Sequence, residues 1–384
     1  MKKRNQPAFK NPVPITLPTL PDPEKLIGKY KKILASRMIT NASTVKEFEA
    51  KAADYLKVNY AVALNSCTSG LMLTMKIFEL KGEAILPSFT FHATAHAAVW
   101  NGLKPVFVDC DPETYNLDPQ EVEKAITPNT SAILAVHLFG NPANVEALEE
   151  IAKKHKLKLI FDAAHAFGSK RKGKHIGGFG DAESFSLSPT KLLTSGEGGI
   201  VATNNKVLAD KLKIARNYGD SGNYDCEFSG FNARMSEFNA LLGVETLKML
   251  EKNVQRRNML VKLYKAELSN IAGIEFQRID PADRSTFKDF SIYIDENKFG
   301  MGRDELYDAL LAENIIVKKY FYPPVHSQKA YKYLKTNVRS LANTVRITDR
   351  VISLPLYSHI DIKTINGICD VIWSIYAENK GRTF

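Results

Sequence analysis

Short apolar segments rich in β-branched residues alternate with stretches of helical periodicity through the first half of this chain. This alternation is the strongest constraint on the fold, because strands separated by helices pair in parallel and bury both faces of one sheet. Seven segments are predicted to be strands, at residues 60–64, 84–86, 106–108, 132–136, 159–161, 184–187 and 200–202. Two helix starts are predicted between them, one at Asp118 and Pro119 and one at Asn144 ahead of residues 145–155. Ligands bind beyond the carboxyl ends of such strands, so the residues that follow them are the first candidates for a site.

The second half of the chain departs from this alternation. We predict a long charged helix over residues 245–268, short strands over 274–276 and 290–294, and a helix over 304–313. The predicted division is an arm over residues 1–25, a large domain over 26–244 and a smaller α/β domain over 245–384. The arm is expected to be extended, because five prolines between residues 12 and 23 oppose helix formation.

Composition excludes several classes of protein. Hydrophobic residues make up 44% of the 384 residues and charged residues 24%, which is typical of a folded globular protein. The sequence contains no run of about 18 apolar residues, so no membrane span is predicted. The basic start is followed by Asn5, Gln6 and Pro7 where a signal peptide needs apolar residues, so we expect a cytoplasmic protein.

The cysteines and the net charge limit the choice of partners. Cys67, Cys110, Cys226 and Cys369 are widely spaced, so reduced thiols are expected and no metal site is predicted. The net charge of +10 suits an anionic partner. The basic residues are scattered and lack interleaved aromatics, so nucleic acid is not an expected partner.

Two polar segments follow predicted strands and suggest a phosphate site and a cation partner. Residues 65–70 are small, three of the six bear a hydroxyl, and the helix predicted to follow them would offer backbone N–H groups to a phosphate. Ordinary helix capping by a serine or threonine of this segment is the alternative. Asp162 ends the fifth predicted strand, where its carboxylate could cap a helix or pair with a buried cationic nitrogen.

A third segment supplies a positioned amine. Lys191 lies between a predicted strand and the glycine-rich turn at residues 196–199, which is unusual for a simple solvated charge. A lysine held in a dry pocket has a lowered pKa and forms Schiff bases with carbonyl compounds. A phosphate anchor, a carboxylate and such a lysine, in this order, are the groups that pyridoxal phosphate requires.

On these segments the chain resembles the DegT/StrS sugar aminotransferases. Three further segments carry the resemblance, at residues 87–95, 230–237 and 322–326, and it extends from about Pro14 to the C-terminal region. It implies an α/β fold of the aspartate aminotransferase type (fold type I), with a mostly parallel seven-stranded sheet and a smaller C-terminal α/β domain. It also implies pyridoxal 5'-phosphate as cofactor and a homodimer whose active sites share residues between subunits.

The same resemblance implies the substrates. Glutamate would be the amino donor and a nucleotide-linked keto sugar the acceptor. Residues 93–119 are most similar to enzymes that act at C4 of dTDP-4-keto-6-deoxyglucose. Amination at C3, or of a UDP- or GDP-linked keto sugar, remains open.

Roles for individual residues follow from the resemblance as well. Lys191 would bond covalently to the cofactor and Asp162 would hold its pyridine nitrogen. Around the cofactor ring, Phe91 would stack on one face, Ala164 would press on the other, and His165 would lie near the phenolic oxygen.

The remaining roles concern the phosphate and the substrate. The residues expected to hold the phosphate are Ser66, Cys67, Thr68 and Ser186. Asn232 is expected to reach the phosphate of the partner subunit's cofactor, and His326 to lie near the sugar nucleotide.

Two departures from the family pattern are visible, and three rival functions remain. Cys67 stands where a glycine is common, and Ser188 where a histidine is common. Lys191 argues against the sugar dehydratases of the family, which have histidine there. Unclustered cysteines disfavour an iron–sulfur dehydratase. Retention of the lysine, the aspartate and the phosphate cup disfavours a noncatalytic sensor.

Overall fold

The computed structural model describes residues 6–336 and 338–380. Its strands are β1 Tyr60–Leu64, β2 Glu83–Pro87, β3 Lys104–Val108, β4 Thr130–Val136, β5 Lys158–Asp162, β6 Lys170–Arg171, β7 Lys174–His175, β8 Ala182–Ser186, β9 Gly199–Thr203, β10 Ile274–Phe276, β11 Phe290–Ile294 and β12 Val351–Leu354. Seven of these form the main sheet, in the order β1-β9-β8-β5-β4-β2-β3. All seven predicted strands are confirmed, within one or two residues at each end.

The main sheet is parallel except at β9. This strand is antiparallel to both of its neighbours, β1 and β8, because it follows β8 without a crossover helix. Gly199 at its start lies opposite both Leu64 and Ser186, which end the neighbouring strands. The loop over residues 187–198 therefore emerges at the same edge of the sheet as the carboxyl ends of the parallel strands.

Helices cover both faces of this sheet. The first eight are α1 Glu24–Ser36, α2 Ser43–Leu56, α3 Cys67–Ile77, α4 Ala93–Trp100, α5 Pro119–Ala125, α6 Val145–His155, α7 Lys206–Ala215 and α8 Glu237–Leu247. Leu86 and Ile160 pack toward α3 and α4, whereas Ile85 and Phe161 pack toward α5 and α6. Successive side chains point to opposite faces of a strand, so the near-continuous apolar strands serve two helix layers.

The predicted helix starts are confirmed by their caps. The Asp118 side chain accepts a hydrogen bond from the Gln120 N–H, and Pro119 is the first residue of α5. The Asn144 side chain accepts one from the Ala147 N–H at the start of α6. Each cap satisfies a backbone donor that has no partner within its helix.

The last part of the chain builds a second apolar core. Its helices are α9 Leu250–Leu268, α10 Glu296–Phe299, α11 Arg303–Ala312, α12 Ala342–Arg350 and α13 Ile362–Lys380. They pack with the antiparallel sheet β10-β11-β12. The strands predicted at 274–276 and 290–294 are confirmed, and the helix predicted at 304–313 is found one residue earlier.

The long helix predicted over residues 245–268 is wrong at its start. Helix α8 ends at Leu247, and α9 begins at Leu250. The Thr246 hydroxyl donates to the Thr194 carbonyl at 2.7 Å, which ties the end of α8 to the loop over residues 187–198. This long-range bond has no signal in the local pattern. The domain limits proposed above stay predictions.

Residues 6–23 lie along the C-terminal elements. The Val13 N–H donates to the Asn314 carbonyl at 2.8 Å, and the Ile316 N–H donates to the Val13 carbonyl at 2.9 Å. Val13 is buried in the second core, and the Phe9 ring packs at its edge. The first five residues of the predicted arm lie outside the described residues, and its last two, Glu24 and Lys25, are helical.

No helix within the described ranges combines the length and the apolar character that crossing a membrane requires.

A side chain at Gly199 is predicted to lower the stability of the fold, whereas one at Gly28 is predicted to raise it. A Cβ at Gly199 would lie 2.3 Å from the Ser66 carbonyl carbon, so Gly199→Ala should lower the free energy of unfolding by about 2 kcal/mol. Nothing lies within 4 Å of a Cβ at Gly28 in α1, so Gly28→Ala should raise it by about 0.5–1 kcal/mol. Urea unfolding of both variants checks this, and equal midpoints would contradict it.

Candidate active site

The loops at the carboxyl edge of the main sheet enclose a cavity of about 410 Å³. Nine residues predicted for the site line it: Ser66, Cys67, Thr68, Phe91, Asp162, Ala164, His165, Ser186 and Lys191. These residues come from the ends of β1, β2, β5 and β8 and from the loop over residues 187–198. The structure thus brings together the three segments that the sequence places after separate strands.

One end of the cavity is the N-terminus of α3. The Ser66 side chain caps this 11-residue helix by accepting a hydrogen bond from the Ser69 N–H at 3.0 Å. The N–H groups of Cys67 and Thr68 open the helix and have no carbonyl partner within it. Together with Ser186 at the end of β8, they line the cavity with hydrogen-bond donors at the positive end of a helix dipole.

The Cys67 thiol has partners inside the protein. Its Sγ donates to the Ser184 carbonyl at 3.3 Å and lies 3.8 Å from Asp162 Oδ1. Burial raises the pKa of this thiol well above its ordinary value, so it stays protonated. A neutral side chain here, in place of the more common glycine, adds no negative charge to a phosphate site.

The Asp162 carboxylate is buried and held in place by two donors. Its Oδ2 accepts a hydrogen bond from the Thr94 hydroxyl at 2.7 Å, and its Oδ1 accepts one from the Ala164 N–H at 3.1 Å. The side chain is therefore fixed at the carboxyl end of β5, where it can keep a nearby cationic nitrogen protonated. Sequence reasoning did not assign Thr94 to the site, although it lies in the segment over residues 87–95.

His165 is a neutral hydrogen-bond donor. Burial, aided by the positive charges of Lys191 and Lys288, lowers its pKa well below the ordinary value. Its Nδ1 accepts a hydrogen bond from the Phe139 N–H at 3.2 Å, so the ring proton is on Nε2. A neutral ring of this tautomer can donate to an oxygen of a bound group.

The Lys191 amine is the most perturbed cation of the cavity. Burial lowers its pKa to about 8, and the Lys288 cation acts in the same direction. The negative charges of Asp289 and Asp162 oppose both effects. At pH 7 an amine with this pKa is unprotonated in about a tenth of the molecules, so it can act as a nucleophile and as a base.

Several cavity residues were missed by sequence reasoning. They include Glu197, Lys288, Asp289, Tyr320 and Phe321. Four of them precede or follow elements of the second core, so only the packing of that core against the main sheet brings them to the cavity. No sequence motif around them indicates this contact.

Asn232 and His326 lie outside the set of described residues that line the cavity. The Asn232 side-chain oxygen accepts a hydrogen bond from Arg234 Nε at 3.3 Å. His326 is buried, with its Nδ1 2.6 Å from the Ser88 hydroxyl, and burial lowers its pKa. Their contacts with a partner's cofactor and with substrate stay predictions.

Comparison with known proteins identifies the family. The sequence profile of the DegT/DnrJ/EryC1/StrS aminotransferase family matches residues 22–373. The chain belongs to this family. Membership confirms the predicted fold type I, the enzyme class of aminotransferase and the cofactor pyridoxal phosphate.

Individual relatives of this aminotransferase match between 78% and 98% of its length. The dTDP-4-amino-4,6-dideoxy-D-glucose transaminase of Shigella dysenteriae is 34% identical over 368 residues, which is 96% of this chain and 100% of that protein. GDP-perosamine synthase of Caulobacter vibrioides is 33% identical over 303 residues, 78% of this chain and 81% of that protein. The crystal structure of DesI in the presence of its TDP-sugar product has a TM-score of 0.92 at 34% identity and covers 98% of this chain and 96% of that one.

The residues of the cavity fit pyridoxal phosphate. Gly199 leaves room for the backbone of Ser66 and Cys67, which a Cβ there would displace, so the helix end that faces a phosphate is kept open. Asp162 matches a protonated pyridine nitrogen, and the Lys191 amine matches an aldehyde. The chemistry of this donor set is complementary to each polar part of the cofactor.

Replacing Lys191 should stabilise the cofactor-free aminotransferase. Below about pH 8 the amine is charged in both the folded and the unfolded chain, so folding carries the full cost of burying it. Between pH 8 and the ordinary pKa of 10.5 the folded amine loses its proton first, and this cost disappears. Lys191→Met should therefore raise the free energy of unfolding by about 2 kcal/mol at pH 7 and by much less near pH 10.5.

Urea unfolding at the two pH values measures this difference. Lys206→Met, at an exposed lysine of α7, is the matched control and should leave the free energy of unfolding unchanged. If the Lys191→Met variant is no more stable than the native chain at pH 7, burying the charged amine does not carry the predicted cost.

Proposed function

We propose that this aminotransferase moves an amino group from glutamate to C4 of dTDP-4-keto-6-deoxyglucose. The observation that carries the aminotransferase chemistry is the convergence of Lys191, Asp162 and the N-terminus of α3 on one cavity. The dTDP-sugar and the C4 position rest on the relatives, since the transaminase from Shigella and DesI are each 34% identical to this chain. The product would serve deoxyamino sugar and polysaccharide biosynthesis.

Each residue of the cavity has a defined task in this reaction. Pyridoxal phosphate, when bound, supplies an aldehyde that carries the amino group and a ring that takes up electrons. Lys191 takes the proton from the α-carbon of the donor and later returns a proton to the product side, because its amine is partly unprotonated near neutral pH. Asp162 holds the pyridine nitrogen protonated, with Thr94 and Ala164 fixing the carboxylate.

Other cavity residues orient the reacting groups. His165 donates from Nε2 to the phenolic oxygen, because its Nδ1 is occupied by the Phe139 N–H. Phe91, half of whose side chain is exposed, offers a ring face, and Ala164 is small enough to allow a ring to approach. The N–H groups of Cys67 and Thr68 bind phosphate oxygens.

The acceptor is tested by product identification. Purified protein with pyridoxal phosphate and ¹⁵N-glutamate is offered dTDP-, UDP- and GDP-linked 4-keto-6-deoxy sugars, and NMR locates the new nitrogen. We expect turnover of the dTDP sugar with nitrogen at C4, and Lys191→Ala is the inactive control.

Two results would change the proposal in different ways. Nitrogen at C3, or a preference for a UDP- or GDP-linked sugar, would replace the acceptor and keep the enzyme class. GDP-linked substrates are the second candidate, because the GDP-perosamine synthase from Caulobacter is 33% identical to this chain.

We infer further that the enzyme is a cytoplasmic homodimer with shared active sites. The last turn of α1 and the residues after it carry the exposed apolar side chains of Leu34, Met38 and Ile39, which a second subunit would cover. Asn232 lies outside the cavity of its own chain, as expected for a residue that serves the partner's site. The four cysteines form no disulfide, which suits a reducing compartment.

Subunit complementation tests the sharing. Lys191→Ala and Asn232→Ala should each be inactive alone. After mixed refolding, about half of the dimers are hybrids with one intact site, so the mixture should regain about a quarter of the native activity. If Asn232 acted within its own chain, or if the protein were a monomer by ultracentrifugation, mixing would restore nothing.

A further inference from the structure

A buried ion pair that the proposed chemistry does not use lines the same cavity. Lys288 and Asp289 directly precede β11, and Lys288 Nζ lies 2.8 Å from Asp289 Oδ1. Their side chains are only 5% and 4% exposed. The Lys288 ammonium also lies 5.3 Å from the centre of the Tyr320 ring. Two buried charges at a reaction site need a reason, because their desolvation is costly.

The backbone on which this pair stands is fixed. The Lys288 N–H donates to the Phe139 carbonyl at 2.9 Å, and the Lys288 carbonyl accepts from Arg257 Nη1, also at 2.9 Å. Arg257 is itself buried in α9. The pair is therefore attached to the main-sheet loop at Phe139 and to the second core at once, and its charges have defined positions in the cavity.

Charged and titratable groups face Lys191 from every element packed around it. They are Cys67 from α3, Asp162 and His165 from the end of β5, Glu197 from the loop over residues 187–198, Lys288 and Asp289 before β11, and Tyr320. Among the charges that act on Lys191, Lys288 has the largest effect and Asp289 the next largest, with the opposite sign. Cys67 and His165 are neutral, so the pair and Asp162 dominate the field at the amine.

We propose that the Lys288–Asp289 ion pair is a positioning element for Lys191, in which Lys288 keeps the Lys191 amine available as a base and Asp289 limits this effect. The inference rests on the proposed function, since it deepens the role of the same site. Two like charges that line one cavity disfavour each other, so the Lys288 cation opposes protonation of Lys191. The Asp289 carboxylate lies 2.8 Å from the Lys288 ammonium, and its negative charge offsets part of the positive field at Lys191.

The two members of the pair must then act in opposite directions. Lys288→Met removes a positive charge and leaves Asp289 as an uncompensated negative one, so the pH at which Lys191 is half protonated should rise by about one unit or more. Asp289→Asn keeps the side-chain shape and leaves Lys288 uncompensated, so this pH should fall by about the same amount. If the pair had a purely structural role, the two substitutions would not shift the pH of half-protonation of Lys191 in opposite directions.

The measurement uses the full-length chain without cofactor. Trace acetylation by acetic anhydride from pH 6 to 11, with mass spectrometry of the peptide that carries Lys191, reports how its unprotonated fraction varies with pH. Lys288→Arg retains the charge and should keep the native midpoint. Lys158→Met is the matched control, because Lys158 also has a carboxylate partner, Asp181 at 2.7 Å, but stands at the opposite end of β5.

The outcomes are distinct. Opposite displacements of the midpoint for Lys288→Met and Asp289→Asn support the proposal, and midpoints no different from that of Lys158→Met overturn it. If Lys288→Met does not fold, Asp289→Asn and Lys288→Arg decide alone, and an unmoved midpoint in Asp289→Asn overturns it. A higher KM for glutamate with an unmoved midpoint also overturns it, and assigns Lys288 to the donor instead.

This result is separable from the acceptor assay. Opposite displacements without turnover of any keto sugar would refute the proposed function alone. Turnover of the dTDP sugar with unmoved midpoints would refute the role of the ion pair alone.

Discussion

The antiparallel return of β9 between β1 and β8 is the constraint on which the active site depends. Gly199 pairs with the last residues of both neighbours, so the ends of β1 and β8 and the intervening loop are held in one register. That register places the N-terminus of α3, which Ser66 caps, beside Ser186. It also places Lys191 at the carboxyl edge of the sheet. A side chain at Gly199 would collide with the backbone of Ser66, so the contact admits only glycine without rearrangement.

Electrostatics add a second layer to this geometry. The cavity contains an amine, a carboxylate and a neutral imidazole close to the protein interior, where charges interact more strongly than in water. Asp162 is fixed by Thr94 and Ala164, and His165 by the Phe139 N–H. Asp162 and His165 therefore each present one orientation to a bound ligand, which is the arrangement that pre-organised catalysis requires.

Local sequence patterns predicted a large part of the fold and of the site. The seven strands of the main sheet were readable because each is a short apolar run, and the starts of α5 and α6 because Asp118 and Asn144 are good caps. Lys191 and Asp162 were found because both follow strands. The interruption between α8 and α9 was not readable, since the bond from Thr246 to a distant carbonyl that accompanies it has no signal in the local pattern. Lys288 and Asp289 were missed for the same reason, because packing between two cores places them.

The segment before α1 has a consequence for how this enzyme can be engineered. Val13 exchanges backbone hydrogen bonds with residues 314 and 316 at the edge of the second core, and Phe9 packs close to Gly367. Removing the residues before α1 would expose the apolar surface that Phe9 and Val13 cover and would leave backbone groups there without partners. Shortened versions intended for crystallisation should therefore retain this segment, and purification handles are better joined through a flexible spacer ahead of it than in its place.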